Sequence, residues 1–135
     1  MECRLVVTYL DLQHGETLKM KGKILPDCKE FAVDLGQDSD HIALHFNPRF
    51  DCKGDVNTIV CNSKENGEWG EEQRETNFPF EQDGNVELSF TFLPDEIKVL
   101  VAEGHEISIL NRLGLKTIDY LAVKGDFKLQ VLKFP

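Results

Sequence analysis

Alternation with a period of two is the feature of this chain that most limits what it can fold into. The stretch from Val86 to Phe92 reads VELSFTF. In an extended backbone Val86, Leu88, Phe90 and Phe92 fall on one side and Glu87, Ser89 and Thr91 on the other. Similar segments recur along the whole chain, at Leu5–Leu12, Thr17–Ile24, Glu30–Leu35, His41–Asn47, Asn57–Ser63, Gly70–Arg74, Asn85–Leu93, Glu96–Ala102, Glu106–Leu110, Ile118–Val123 and Phe127–Phe134. Between them stand turn formers: Gly15, Lys21–Gly22, Lys53–Asp55, Asn66–Gly67, Asp83–Asn85 and Glu103–Gly104. Strands punctuated at roughly 8–12-residue intervals predict an antiparallel sandwich or barrel. The only helical candidate, ILNRLGLKTIDYL from Ile109, is interrupted by Gly114 and carries β-branched residues, so at most one short turn is expected there. The expectation is all-β, one domain over residues 1–135.

Composition removes several function classes. A formal charge of −9 disfavours nucleic-acid backbones and anionic membrane surfaces, which ask for a basic patch. No apolar run approaches the ~20 residues of a membrane-spanning helix, and the start MECRLVVTYLDL lacks the basic-then-apolar order of a signal peptide. Synthesis in the cytosol is the expectation. Cys3, Cys28, Cys52 and Cys61 are irregularly spaced with no CxxC pair, so four free thiols are expected, with no zinc site and sensitivity to oxidation. Catalysis finds no support. A thiol at Cys52 or Cys61 beside His45 would lack a helix N-terminus to activate it. Glu71 and Glu72, adjacent on a strand, would face opposite ways. No metal or cofactor is called for.

The stretch HIALHFNPRF, His41 to Phe50, is more informative. Ile42, Leu44 and Phe46 make an apolar side, while His45, Asn47 and Arg49 line up an imidazole, an amide and a guanidinium on the other. Downstream, Asn62 falls on the polar side of the next strand, Trp69 follows the Asn66–Gly67 turn, and Glu72 and Arg74 share a face. This set matches the surface of a sugar. Hydroxyls that donate and accept at once suit charged and planar partners, at about 1.5–3 kcal/mol per well-made charged bond. A Trp face covers the sugar's C–H patch. Ion pairs among Arg49, Glu72 and Arg74 would hold those groups in place before a ligand arrives.

HFNPRF, NTIVCNS, WGEEQRE and FPF, in that order, resemble the galectin carbohydrate-recognition domain. The similarity runs to GDFKLQVLKF, covers essentially the whole chain and is closest to the prototype, single-domain galectins. The resemblance implies a two-sheet antiparallel jelly-roll β-sandwich that binds β-galactosides such as lactose and N-acetyllactosamine on a concave sheet, without calcium or catalysis. His45, Asn47 and Arg49 would then address the axial 4-hydroxyl of galactose, and Asn62 and Glu72 the 6-hydroxyl. Trp69 would stack under the ring, and Arg49, Glu72 and Arg74 would reach the 3-hydroxyl of the next sugar. Prototype members often carry a His after NPRF where this chain has Lys53, so Lys53 and Asp55 are expected to tune contacts beyond galactose. The resemblance further implies a bivalent homodimer built from the terminal strands, here through Leu5, Val7, Leu129 and Leu132, that crosslinks glycoconjugates. It also implies a protein found in the cytoplasm and, by non-classical export, outside the cell. Two other readings stay open on sequence: an intracellular lipid-binding barrel, and a lens-type relative that no longer binds sugar.

Overall fold

The computed structural model describes residues 1–102 and 104–135; of the expected turns, Glu103 lies outside the described residues. Twelve strands follow in order: β1 Cys3–Gln13, β2 Thr17–Ile24, β3 Phe31–Asp38, β4 His41–Cys52, β5 Asp55–Glu65, β6 Glu68–Trp69, β7 Gln73–Glu75, β8 Asn85–Phe92, β9 Glu96–Ala102, β10 His105–Leu110, β11 Thr117–Gly125 and β12 Phe127–Lys133. They form two antiparallel sheets. The first runs β1-β11-β3-β4-β5-β6, with the short β7 also paired to β5; the second runs β10-β9-β8-β2-β12. Inward residues of both sheets make one core, with Phe31, Phe46, Phe90, Phe92 and Phe127 all fully buried. Phe31 stacks on Phe127 at 4.9 Å and Phe46 meets Phe90 edge-on at 5.9 Å, tying the sheets together through aromatic pairs.

Most segments read from alternation are strands here, and the exceptions have local causes. Lys21–Gly22 is not a turn but the middle of β2. Gly22 is there because a Cβ would lie 2.2 Å from the Phe127 ring and 2.6 Å from the Lys128 carbonyl. The turn expected at Lys53–Asp55 is a tight hairpin. Cys52 pairs with Asp55, and Lys53 and Gly54 both take positive φ (51° and 84°), the geometry of a two-residue I′ hairpin. The helical candidate after Ile109 is a turn held by Asn111, whose side chain bonds both ends of Leu115. The segment 70–74 is broken between β6 and β7. Gly70 N–H donates to the Ser63 carbonyl at 2.9 Å, and Arg112 takes the Glu71 carbonyl at 2.8 Å, so this carbonyl serves a side chain rather than a ladder.

β4 differs from its reading in two ways. A bulge between Ile42 and Leu44 puts Ala43, Leu44 and Phe46 into the core, while Ile42 is buried outside it. Pro48 does not end the strand, because pairing with β5 continues through Pro48–Ile59 to Cys52–Asp55. Phe50 N–H points to the β3 side, onto the Lys29 carbonyl at 2.8 Å. Pro48, two residues earlier, therefore has its missing donor on that same side. The β3 ladder does stop before it, at Val33–Phe46.

Candidate functional site

β4 and β5 set the site's register. His45 stands opposite Asn62, Asn47 opposite Val60, and Arg49 opposite Thr58, so the three polar side chains of β4 and Asn62 share the outer face of the first sheet. Beyond β5, the Asn66–Gly67 turn, with both φ positive, swings β6 over so that Trp69 lies beside His45, ring centroids 4.7 Å apart. Trp69 remains half exposed. His45, Arg49, Asn62, Trp69 and Glu72 line one groove of about 510 Å³, which Lys53, Asp34 and Lys124 extend.

Almost every polar group here is held from behind. His45 Nδ1 lies 2.5 Å from the carboxylate of Asp34, a fully buried side chain that is also paired with Lys124 Nζ at 3.0 Å. A carboxylate can only accept, so Nδ1 carries the proton, and a neutral His45 leaves Nε2 as an acceptor. Burial pushes the Asp34 carboxyl up, but the hydrogen bond from His45 and the neighbouring ammonium of Lys124 outweigh it and hold it below the usual carboxylate range. Asn47 has no exposed surface. Both of its amide hydrogens are used, on Glu30 Oε1 at 3.0 Å and the Phe31 carbonyl at 2.9 Å, while its oxygen accepts from Arg49 Nε at 2.9 Å.

Arg49 then reaches Asp55 at 2.8 Å. Asp55 is the hub of the far half, since Arg74 binds it through two nitrogens at 3.0 and 3.1 Å. Glu72 closes the cluster, 3.2 Å from Arg74 and 3.8 Å from Arg49. The Arg74 hydrogen bond, with that of Arg49 behind it, holds the Asp55 carboxyl low. Lys53 clamps both oxygens of Glu30 at 3.0 and 2.8 Å. Burial raises the Glu30 carboxyl, yet the Lys53 and Asn47 bonds outweigh that and keep it below its ordinary range. Asn62 donates to the Gly70 carbonyl at 3.0 Å, tying β5 to the segment that carries Trp69. The expected rigid network is present with a different centre: Glu72 joins it, but Asp55 holds it together.

All seven expected site residues and both auxiliary ones are thus gathered on one face. Four supporting residues were missed. Asp34 had a legible signal, a lone acid inside the apolar run FAVDLG. Glu30, Lys124 and Arg112 had none, because each meets the site only through strand pairing or a loop distant in sequence. Leu5, Val7, Leu129 and Leu132 are half-buried and pack against their own core, while Val6, Tyr9, Val131 and Phe134 are exposed on those strands and at the chain end.

A two-sheet sandwich carrying an outward row of hydrogen-bonding side chains beside an open Trp is the arrangement of a carbohydrate-binding protein. The family model described as galactoside-binding lectin matches residues 4–134. The 16 kDa beta-galactoside-binding lectin of Gallus gallus is 58% identical over 134 residues, 99% of each chain, and Galectin-1 of Sus scrofa is 48% identical over the same share. Among solved structures, CG-16, a homodimeric agglutinin from chicken liver, superposes with a TM-score of 0.94 at 58% identity, covering 97% of this chain and 98% of that one. Toad ovary galectin in complex with thio-digalactose gives 0.95 at 41% identity over 100% of both. The chain belongs to the galectin family of galactoside-binding lectins, which bind carbohydrate and are not enzymes.

Proposed function

We propose that this protein binds the terminal galactose of β-galactosides in the groove over β4, β5 and β6 and, as a bivalent homodimer, crosslinks the glycoconjugates that carry them. The observation that carries the reading is the pre-bonded row itself. His45 offers an acceptor fixed by Asp34, Arg49 offers guanidinium N–H groups fixed by Asn47 and Asp55, and an axial 4-hydroxyl can donate to the first while accepting from the second. Asn47, wholly buried, acts chiefly by aiming Arg49 and lends the ligand only its oxygen's remaining lone pair. Glucose, with that hydroxyl equatorial, would leave these groups unpaired at about 1–3 kcal/mol each. Asn62 and Glu72 flank the position of the 6-hydroxyl, Trp69 offers its face to the ring's C–H groups, and Arg74 with Glu72 meets the second sugar of lactose or N-acetyllactosamine.

The dimer reading rests on edges. β1 and β12 are the edge strands of their sheets on the same side of the sandwich, and both expose apolar side chains, Val6 and Val131. A two-fold contact along this side would cover both edges, with Leu5, Val7, Leu129 and Leu132 behind the exposed residues. The homodimeric chicken agglutinin supports this assembly. A protein working on such glycans would act outside the cell as well as in the cytoplasm. The reading is tested on lactose-agarose with reduced protein. Retention and release by lactose, with no release by sucrose, is expected; flow-through of folded protein would end it.

A further inference from the structure

The second sheet carries, on the face turned away from the core, a feature that galactoside binding leaves unused. β2 alternates so that Leu18, Met20, Gly22 and Ile24 point inward and Lys19, Lys21 and Lys23 outward. β12 pairs with it in a register that sets Lys133 opposite Lys19 and Lys128 opposite Lys23. Five lysines therefore share two neighbouring strands of a chain that has 15 lysines and arginines in all and a net charge of −9. Like charges directly across a ladder are destabilising, so their pairing in two rows is a cost that needs a counter-charge. The fold supplies part of it: Glu87 lies 3.1 Å from Lys21 and Asp83 3.2 Å from Lys23. Lys19, Lys128 and Lys133 have no carboxylate partner among the described residues. Lys19, Lys21 and Lys133, with Glu87 beside Lys21, rim a shallow depression of about 170 Å³ whose lining includes Ser89, the β8 residue paired with Lys19. Two ammonium groups and a hydroxyl thus stand in a row across three strands. Four residues further along β2, about 13 Å away at strand rise, Lys23 and Lys128 repeat the pair. At the other end of the sheet the charge reverses, with Lys98 set between Glu96 and Glu106.

We propose that this lysine face binds a sulfated glycosaminoglycan, at a site separate from the galactoside groove and able to be occupied together with it. Neither β2 nor β12 carries an arginine, and the one aromatic ring of these strands, Phe127, is buried, which suits neither bidentate phosphate recognition nor stacked bases. Mobile point charges in two rows suit sulfate groups distributed along a linear polysaccharide, with affinity coming from released counterions. The expectation from net charge, that nucleic-acid backbones and anionic membrane surfaces are disfavoured, averages over faces that differ in sign. The inference does not depend on the galactoside reading.

The test uses heparin-agarose at about 0.1 M salt, where counterion-driven binding is strong. The full-length protein should be retained, elute with salt and stay bound in lactose. The charge-reversed pair Lys19→Glu with Lys133→Glu should bind heparin at least about tenfold more weakly. The pair Lys29→Glu with Lys116→Glu, equal in net charge but on exposed sites elsewhere, should bind within about twofold of wild type. All three proteins should still bind lactose-agarose, which reports that they are folded and that the groove is intact. Flow-through of wild type, equal losses in the two pairs, elution by lactose, or equal retention on desulfated heparin would each overturn the proposal. Capture by phosphatidylserine vesicles without retention on heparin would assign the face to a membrane and overturn it as well.

Discussion

The outer faces of the two sheets use charge in opposite ways. On the first, Asn47, Arg49 and Asp55 are mostly or wholly buried and bonded to one another, and the buried Asp34 is bonded to His45. On the second, Lys19, Lys128 and Lys133 stand in solvent without fixed partners. A network held in place before a ligand arrives loses little side-chain entropy on binding and discriminates geometry, so it reads where a hydroxyl points. Mobile ammonium groups discriminate little and respond to charge density and salt. The same chain thus has one face built for stereochemistry and one for electrostatics.

The sharpest way to break this contrast is Arg49→Ala. The Arg49 side chain is 9% exposed and satisfies Asn47 and Asp55, so its loss removes a ligand contact, strands the buried Asn47 oxygen and leaves Asp55 to Arg74 alone. Lactose affinity should fall more than about a hundredfold, and stability by about 2 kcal/mol, with the β-sheet circular dichroism spectrum retained. Calorimetric titration with a parallel melting curve checks both. A variant that binds normally would remove Arg49 from the site. Trp69→Ala separates the two effects, since Trp69 is half exposed and closes no core. Affinity should drop about 10- to 100-fold for loss of the stacking face, with the melting temperature little changed. A large drop in melting temperature would make Trp69 a structural residue instead.

A smaller effect comes from pH. Asp34, Glu30 and Asp55 are all held below the usual carboxylate range, by His45 and Lys124, by Lys53 and Asn47, and by Arg74 and Arg49. A depressed folded pKa gives stability that is complete above the unfolded value, near 4, and is lost as pH falls through the lower folded values. Melting temperature should stay level from about pH 7.5 to 5 and decline below about 4. A half-loss near pH 6 would place control in an imidazole and not in the carboxylates.

What the sequence could show follows from the range of the interactions involved. Alternation is local, so the strands and the outward row His45, Asn47, Arg49 were legible, and a hydrogen-bonding row beside a Trp pointed to sugar. Register is not local. Asp34 reaches His45 only because β3 pairs with β4, and Arg112 reaches Glu71 from a loop 41 residues away. Asp55 read as an auxiliary loop acid because the I′ geometry of Lys53–Gly54, which turns it back toward Arg49, depends on two φ angles that composition only suggests. The lysine rows were visible as TLKMKGKI and FKLQVLK separately; only the β2–β12 pairing makes them one surface.

The finest test of the contrast is Lys53, which sits on the first face but is exposed like the lysines of the second. Its side chain is 53% exposed and its ammonium grips Glu30, whose other partner is the buried Asn47. If the first face is rigid throughout, Asn47 alone holds Glu30 and the row keeps its geometry without Lys53. Lys53→Ala should then change lactose affinity less than about threefold, since an exposed ion pair contributes at most about 1 kcal/mol. Its effect should be confined to longer galactosides that extend beyond lactose toward the Lys53–Glu30 pair. Comparing lactose with a tetrasaccharide of repeated N-acetyllactosamine measures this. An equal loss on both ligands would mean that Lys53 tensions Asn47 through Glu30, making the row depend on a surface charge and erasing the distinction between the two faces at that corner.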